Sequence, residues 1–305
     1  MLQLQDLKLF RQIVQSGNIS AAARLFDLTP AAASAALKRL ELYLQVPLLV
    51  RSTRSLKLTA AGEKFLQHCQ NALTALEQGA HEMQSLKGQI AGELRLTAPS
   101  DLGRNLLVPW LDEVLQQYPA LSVRLELSDK ISALQSEQVD LAIRYGELAD
   151  SSLVSFELGR IPRVLCAAPA YLARHGIPSH PVELQQHNCL LYLVEQRAFA
   201  NWHFQGPQQP FSVSVSGNRV SNDAEVVKRW AVSGQGIALK SALDMSEDLL
   251  AGRVVPLLPE FLPATQQLHL VCVNRNQISP AVLLLRDQLR SRIAAQLARL
   301  KPLLS

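Results

Sequence analysis

The 305-residue chain contains no run of about 18 uncharged apolar residues, so no membrane-spanning helix is expected. The opening stretch, "MLQLQDLKLFRQIVQ", interrupts its apolar pattern with Asp6, Lys8 and Arg11. This differs from a basic start followed by an unbroken apolar segment, so no secretory leader is expected and the chain is read as cytoplasmic. Cysteine is scarce. Cys69, Cys166, Cys189 and Cys272 lie far apart, with no CxxC and no histidine at metal spacing. Reduced thiols follow, and no metal site is expected. Catalytic patterns are missing too: there is no GxSxG, HExxH, GxGxxG or P-loop, and the seven histidines are scattered. "SGQGIA" is a weak glycine pattern of the kind that ends helices. No enzyme and no cofactor are read from these residues.

Apolar residues make up 48% of the chain, ample for about two packed domains. The charge is unevenly divided. Residues 1–60 hold eight Lys/Arg against three Asp/Glu, whereas the remaining residues hold 22 against 23. A small basic part on a near-neutral body points to a polyanion partner for the small part alone.

Within that part, Leu4, Leu7, Phe10 and Val14 stripe a first helix. Asn18 or Ser20 can cap a short second helix ending near Asp27. Thr29 and Pro30 suit the N-cap and first position of a third helix, with Ala33, Leu37, Leu40 and Leu44 on one side. "PLLVR" and "SLKLT" then form a short hairpin. The order is that of a winged helix-turn-helix. Alanines permit the close, steep crossing of the two helices and favour helix as well. The opposite face of the third helix carries Ala31, Ser34, Ala35 and Lys38, small enough for a major groove. Thr29, Pro30, Ala31, Ser34, Ala35 and Lys38, with Arg51 and Arg54 of the wing, are the candidate contacts to double-stranded DNA. Bases would be touched sparsely, and phosphates by Lys38, Arg51 and Arg54.

"TAAGEKFLQHCQNALTALEQGAHEMQSLKG" reads as one long helix. Leu66, Cys69, Leu73, Leu76, Ala80, Met83 and Lys87 recur at steps of three and four, a coiled-coil seam imperfect at Cys69, Ala80 and Lys87. Leu66, Leu73 and Leu76 are its dimerisation candidates. From Glu93, strands and helices alternate, which predicts a mostly parallel sheet flanked by helices, in two lobes because about 215 residues exceed one sheet.

These residues resemble the LysR-type transcriptional regulators over essentially the whole chain. The resemblance is carried by "LKLFRQIVQSGNISAAARLFDLTPAAASAALKRLELYLQVPLLVRSTRSLKLTAAG", and beyond it by "GELRLTAPSDLGR", "DLAIRYGEL", "LCAAPAYLARHG", "SNDAEVVK" and "GQGIAL". It implies an α/β chain of three parts: a winged helix-turn-helix (residues 1–60), a linker helix (61–90) and a periplasmic-binding-protein-like effector domain (91–305). In that domain the chain would pass between the lobes twice, with lobe I at 91–161 and 267–305 and lobe II at 162–266. It implies a homodimer or homotetramer, with RNA polymerase a further partner to consider. Under that fold an effector pocket would lie between the lobes. Ser100 offers a hydroxyl beside free helix N–H groups, Arg144 a bidentate hold on a carboxylate, and Asn222 a polar group at a helix start. Lys130 is a weaker fourth candidate. Together they suggest a small anionic or polar metabolite as effector. Each has a plainer reading: a cap for Ser100, a pairing with Glu147 for Arg144, a capping box with Glu225 for Asn222. The alternative within the same family is a thiol redox sensor, although Cys166 and Cys189 sit in apolar runs that favour inert thiols.

Three positions depart from the family pattern. Ala35 stands where a long polar residue is frequent, so direct base readout is expected to be sparse. Gln45 stands where glycine is usual at the end of the third helix, so the turn there is expected to differ. Lys240 stands where an apolar residue is common, with its direction open.

Overall fold

Helix boundaries in the first part of the chain are set by side chains that accept otherwise unpaired N–H groups. In the computed structural model, which describes residues 2–51, 56–85, 90–129, 139–146, 153–194, 197–206, 209–261, 265–272 and 278–304, the chain divides into two units, Met1–Lys87 and Gly88–Ser305. The first unit contains α1 (Leu4–Ser16), α2 (Ile19–Leu25), α3 (Pro30–Leu44), the antiparallel pair β1 (Leu49–Arg51) and β2 (Leu56–Leu58), and α4 (Ala60–Ser85). Asn18 Oδ1 accepts from Ser20 N at 2.7 Å and Ala21 N at 3.3 Å, so Asn18 rather than Ser20 caps α2. Thr29 Oγ1 accepts from Ala32 N at 3.2 Å, with Pro30 at the first turn of α3.

Ala22, Ala23 and Ala33 are wholly buried where α2 meets α3, beside Phe10, Ile13 and Leu40. Small side chains at that contact are what let the two helices approach. The turn after α3 keeps the left-handed conformation despite the missing glycine. Gln45 has φ 58°, and its Nε2 donates to Leu42 O at 2.6 Å, partly offsetting the strain of a left-handed non-glycine residue. The expected departure at this turn is therefore absent.

The seam reading of α4 needs correction at Leu73. This residue is wholly buried with Cys69 in the same chain's core, and Leu66 is half-buried there. The Phe10 and Phe65 rings lie 5.9 Å apart in the same contact. Leu76, by contrast, is 57% exposed. The first turns of α4 thus complete the helix-turn-helix core, which uses the stripe that sequence periodicity assigned to a partner helix.

The second unit is built on two five-strand paths. The first runs β4 (Leu121–Leu127), β3 (Gly92–Ala98), β5 (Leu141–Tyr145), β15 (Gln266–Cys272), β6 (Val154–Ile161). It is covered by α5 (Ser100–Leu102), which continues through a π-helical turn at Gly103–Leu107 into α6 (Val108–Gln117), and by α10 (Pro280–Leu304). Leu96, Leu107, Leu111, Ile143, Leu270 and Leu285 lie at the centre of that core. The second path runs β12 (Arg219–Ser221), β8 (Cys189–Val194), β13 (Ile237–Ser241), β7 (Arg163–Ala167), β14 (Val255–Leu257), with α7 (Pro169–His175), α8 (Ala224–Val232) and α9 (Ser246–Leu250). A hairpin of β10 (Asn201–Phe204) and β11 (Phe211–Ser214) adds Trp202 and Phe204 to its core, and β9 (Arg197–Ala198) extends β8.

Each sheet is mostly parallel, as the alternation argument expects: four of the five strands on each path run one way, and one runs against them. β3 pairs in parallel with β4 and β5, but β15 is antiparallel to both β5 and β6. β8 pairs in parallel with β12 and β13, but β7 is antiparallel to β13 and β14. The cause is the passage between lobes. β6 ends at Ile161 and β7 starts at Arg163, with Pro162 alone between them, and β15 brings the chain back. A strand arriving from the other lobe runs against those wound within the lobe. No helix among the described residues is long and apolar enough to cross a membrane.

Candidate functional site

In the first unit, α3 presents Thr29, Pro30, Ala31, Ala35 and Lys38 fully to solvent, with Ser34 half-buried. A groove of about 310 Å³ between α3 and the hairpin is lined by Ser34, Lys38, Glu41 and Leu56, among others. Two residues of the "RLE" run fix this face. Arg39 reaches the buried Asp6 of α1 through Nε at 2.9 Å and Nη2 at 2.5 Å. Glu41 Oε1 accepts from Leu48 N at 2.8 Å and Leu49 N at 3.2 Å, pinning the start of the hairpin to α3. The "LTAAG" run ties in from the other side. Thr59 Oγ1 accepts from Gly62 N at 2.9 Å, and a Cβ on Gly62 would sit 2.1 Å from Leu48 O, so only glycine fits there. Arg51 pairs with Leu56 at the base of the hairpin, whereas Arg54 lies outside the described residues. The "RLE" and "LTAAG" residues therefore fix the placement of α3 against α1 and the hairpin.

In the second unit, a cavity of about 950 Å³ lies between the two sheets' lobes. Arg144 and Asn222 both line it, as the sequence reading expects. Arg144, at the end of β5, is buried. Its Nη1 donates to Ile143 O at 2.9 Å and its Nη2 to Thr97 Oγ1 at 3.1 Å, while its Nε has no partner. Burial lowers its pKa, opposed by the charges of Asp129 and Glu126. The residue proposed as its plainer partner, Glu147, lies outside the described residues, as does Lys130.

Asn222 does not cap α8. Asp223 does, accepting from Glu225 N at 2.8 Å and Val226 N at 3.2 Å. Asn222 is exposed, and Glu225 instead accepts from Asn105 Nδ2 at 2.7 Å and Arg229 Nε at 2.9 Å. The capping-box assignment was one residue out.

Ser100 is placed at a helix start, but its donors are already used. Its N–H donates to Asp129 Oδ1 at 2.7 Å and its hydroxyl to Asp129 Oδ2 at 2.6 Å, and Ala224 N donates to the same Oδ2 at 2.8 Å. The anion at the Ser100 position is therefore the chain's own Asp129 carboxylate, which ties the start of α5 to the start of α8.

The deepest charges were not read from sequence. Lys240 Nζ forms a buried ion pair with Asp101 across the lobes and donates to Ala224 O at 3.1 Å. Burial alone would lower the Lys240 pKa, but Asp101, Asp244 and Asp129 hold it above the usual value. Tyr145 donates to Asp244 Oδ1 at 2.6 Å and lies 3.0 Å from Ser241 Oγ. Burial and the neighbouring Asp101 push the Asp244 carboxyl up to about 8, opposed by Lys240 and by the Tyr145 hydrogen bond. The "GIALKS" run held the clue to Lys240: a charge amid apolar residues in a fully buried strand needs a partner.

All four cysteines are free and buried. Desolvation raises Cys69 and Cys272 to about 11, and Cys166 and Cys189 to about 12. Thiols of this kind hold little thiolate near neutral pH, so their surroundings lend the redox alternative no support.

Residues 4–63 match the family described as bacterial regulatory helix-turn-helix protein, lysR family, and residues 87–294 match the LysR substrate binding domain. The HTH-type transcriptional regulator DmlR of Escherichia coli K12 is 33% identical over 258 residues, covering 85% of this chain and 84% of its own. The HTH-type transcriptional activator AaeR of the same organism is 31% identical, covering 91% and 90%. Among solved structures, full-length CrgA of Neisseria meningitidis aligns with a TM-score of 0.58 at 28% identity over 99% of both chains. The Vibrio cholerae virulence activator AphB aligns at 0.59 and 26%, over 95% of this chain and 99% of its own. The chain belongs to the LysR family of DNA-binding transcriptional regulators, with an N-terminal helix-turn-helix domain and a C-terminal effector-binding domain.

Proposed function

We propose that this regulator responds to a small carboxylate held between the lobes of the effector domain and read out as a change in lobe position. The observation that carries this reading is Arg144: a buried guanidinium facing a 950 Å³ cavity with an unpartnered Nε. A buried polar group without a partner is costly, and an anion would remove that cost. Asn222 supplies a polar group on the opposite lobe. The ligand is held without covalent chemistry, so the chain acts as a regulator and carries out no catalytic step. Calorimetry of the full chain against a panel of carboxylates tests this. A binder should lose about tenfold or more in affinity on Arg144→Ala, corresponding to the loss of a charge-assisted hydrogen bond. Equal binding by the variant would place the anion elsewhere.

On the DNA side, Thr29, Ser34 and Lys38 of α3, with Ala31 and Ala35 touching thymine methyls, form the reading face, and Arg51 and Arg54 contact the backbone. Residues 1–60, 61–90 and 91–305 then act as reader, joint and sensor. The chain works in the cytoplasm as a homodimer or homotetramer joined through α4, with RNA polymerase as the further partner at a promoter.

A further inference from the structure

We propose that Arg163, with the apolar wall behind it, selects an anionic ligand with an apolar body. This rests on the reading of the inter-lobe cavity as the effector site and goes beyond it in naming the ligand class and a second anchor. Arg163 opens β7, one residue after the chain leaves the first lobe through Pro162. Its guanidinium lies over the Phe199 ring, with Cζ 5.0 Å from the centroid, which holds the group in place against an aromatic face. It forms no ion pair or side-chain hydrogen bond among the described residues, and its Nε is shut off from solvent without a partner. Desolvation alone lowers its pKa, to about 10, with no carboxylate opposing it. Arg144 at least feels Asp129 and Glu126, so Arg163 is the less compensated of the two.

The other charges around the cavity are already engaged within the chain. Lys240 is paired with Asp101. Asp129 accepts from Ser100 and Ala224. Asp244 accepts from the Tyr145 hydroxyl. Among the described residues, Arg144 and Arg163 are therefore the cationic groups left to meet an anion. The rest of the wall is apolar: Leu190, Leu193, Phe199, Trp202, Val227 and Leu239. A cavity of about 950 Å³ with that wall suits a ligand far larger than its carboxylate.

A thermal-shift and calorimetric series on the full chain tests this with three probes: benzoate, acetate and benzamide. Benzoate should raise the melting temperature and bind at least tenfold more tightly than acetate, which lacks the apolar body. Benzamide, with no charge, should fall below benzoate by a similar factor. Arg163→Met should remove the benzoate response, while leaving the ligand-free melting temperature unchanged or raising it, because a half-buried charge with no ion-pair partner among the described residues has gone. A merely structural arginine would instead lower that temperature. If Arg163→Met melts lower and keeps the benzoate response, the inference is overturned. If Arg144→Ala loses the response and Arg163→Met keeps it, Arg163 is excluded while the cavity reading survives. If acetate or benzamide matches benzoate, or none of the three binds wild type, the ligand class is wrong.

Discussion

Asp244 is a carboxyl group buried among charges of both signs, and its environment gives the protein a definite pH response. Its folded pKa, pushed up to about 8, lies above that of an unfolded carboxylate. Between about pH 4 and pH 8 the native chain therefore holds a proton that the unfolded chain has released. Stability contributed by this group falls as pH rises through that window, by at most about 1.4 kcal/mol per pH unit. Urea unfolding at pH 6 and pH 8 checks it. Wild type should lose more stability over that interval than Asp244→Asn, which keeps an oxygen for the Tyr145 hydroxyl. A variant as pH-sensitive as wild type would show that the carboxyl is ionised throughout. At this same scale the sequence was partly legible. Arg144 and Asn222 could be assigned to the cavity because each stands at the end of a recognisable strand or the start of a helix. Asp129, Lys240 and Arg163 could not, since their roles depend on partners up to 139 residues away, such as Asp101 for Lys240. No local pattern records such a partnership.

Elements were legible wherever one physical cause set them. The caps at Asn18 and Thr29, the proline at the start of α3 and the alanine contact between α2 and α3 all act within a few residues, and each was readable. α4 was legible as a helix but not in what its stripe faces, because periodicity records an apolar face and not its partner. With Leu73 in the intramolecular core, Leu76 is the exposed leucine left to serve the proposed joint. Leu76→Asp should shift the protein toward monomer in sedimentation equilibrium while its helical circular dichroism stays intact. Leu73→Asp should instead destabilise the DNA-binding unit by several kcal/mol, since it buries an unpaired charge. A Leu76→Asp protein that sediments as wild type would move the joint away from this face of α4. Strand direction in the second unit was legible for four of the five strands on each path: alternation of strand and helix gives winding within a lobe and is silent on the one strand that arrives from the other lobe.

At the scale of the whole molecule, a basic reading domain and a near-neutral sensing domain share one chain, and the account holds that an anion between the lobes alters how the chain engages DNA. Salt dependence would establish the electrostatic part of binding, each phosphate contact adding about one unit to the logarithmic slope. The direct test is an equilibrium titration of the full chain onto a genomic fragment that it protects. It is run with and without the carboxylate that binds best in calorimetry, for wild type and Arg144→Ala. Ligand should change wild-type DNA affinity about fivefold or more, the range of ordinary allosteric coupling. The variant should bind the same DNA with unchanged ligand-free affinity and show no response at that ligand concentration. An equal response in both proteins, or none in wild type, would contradict the account.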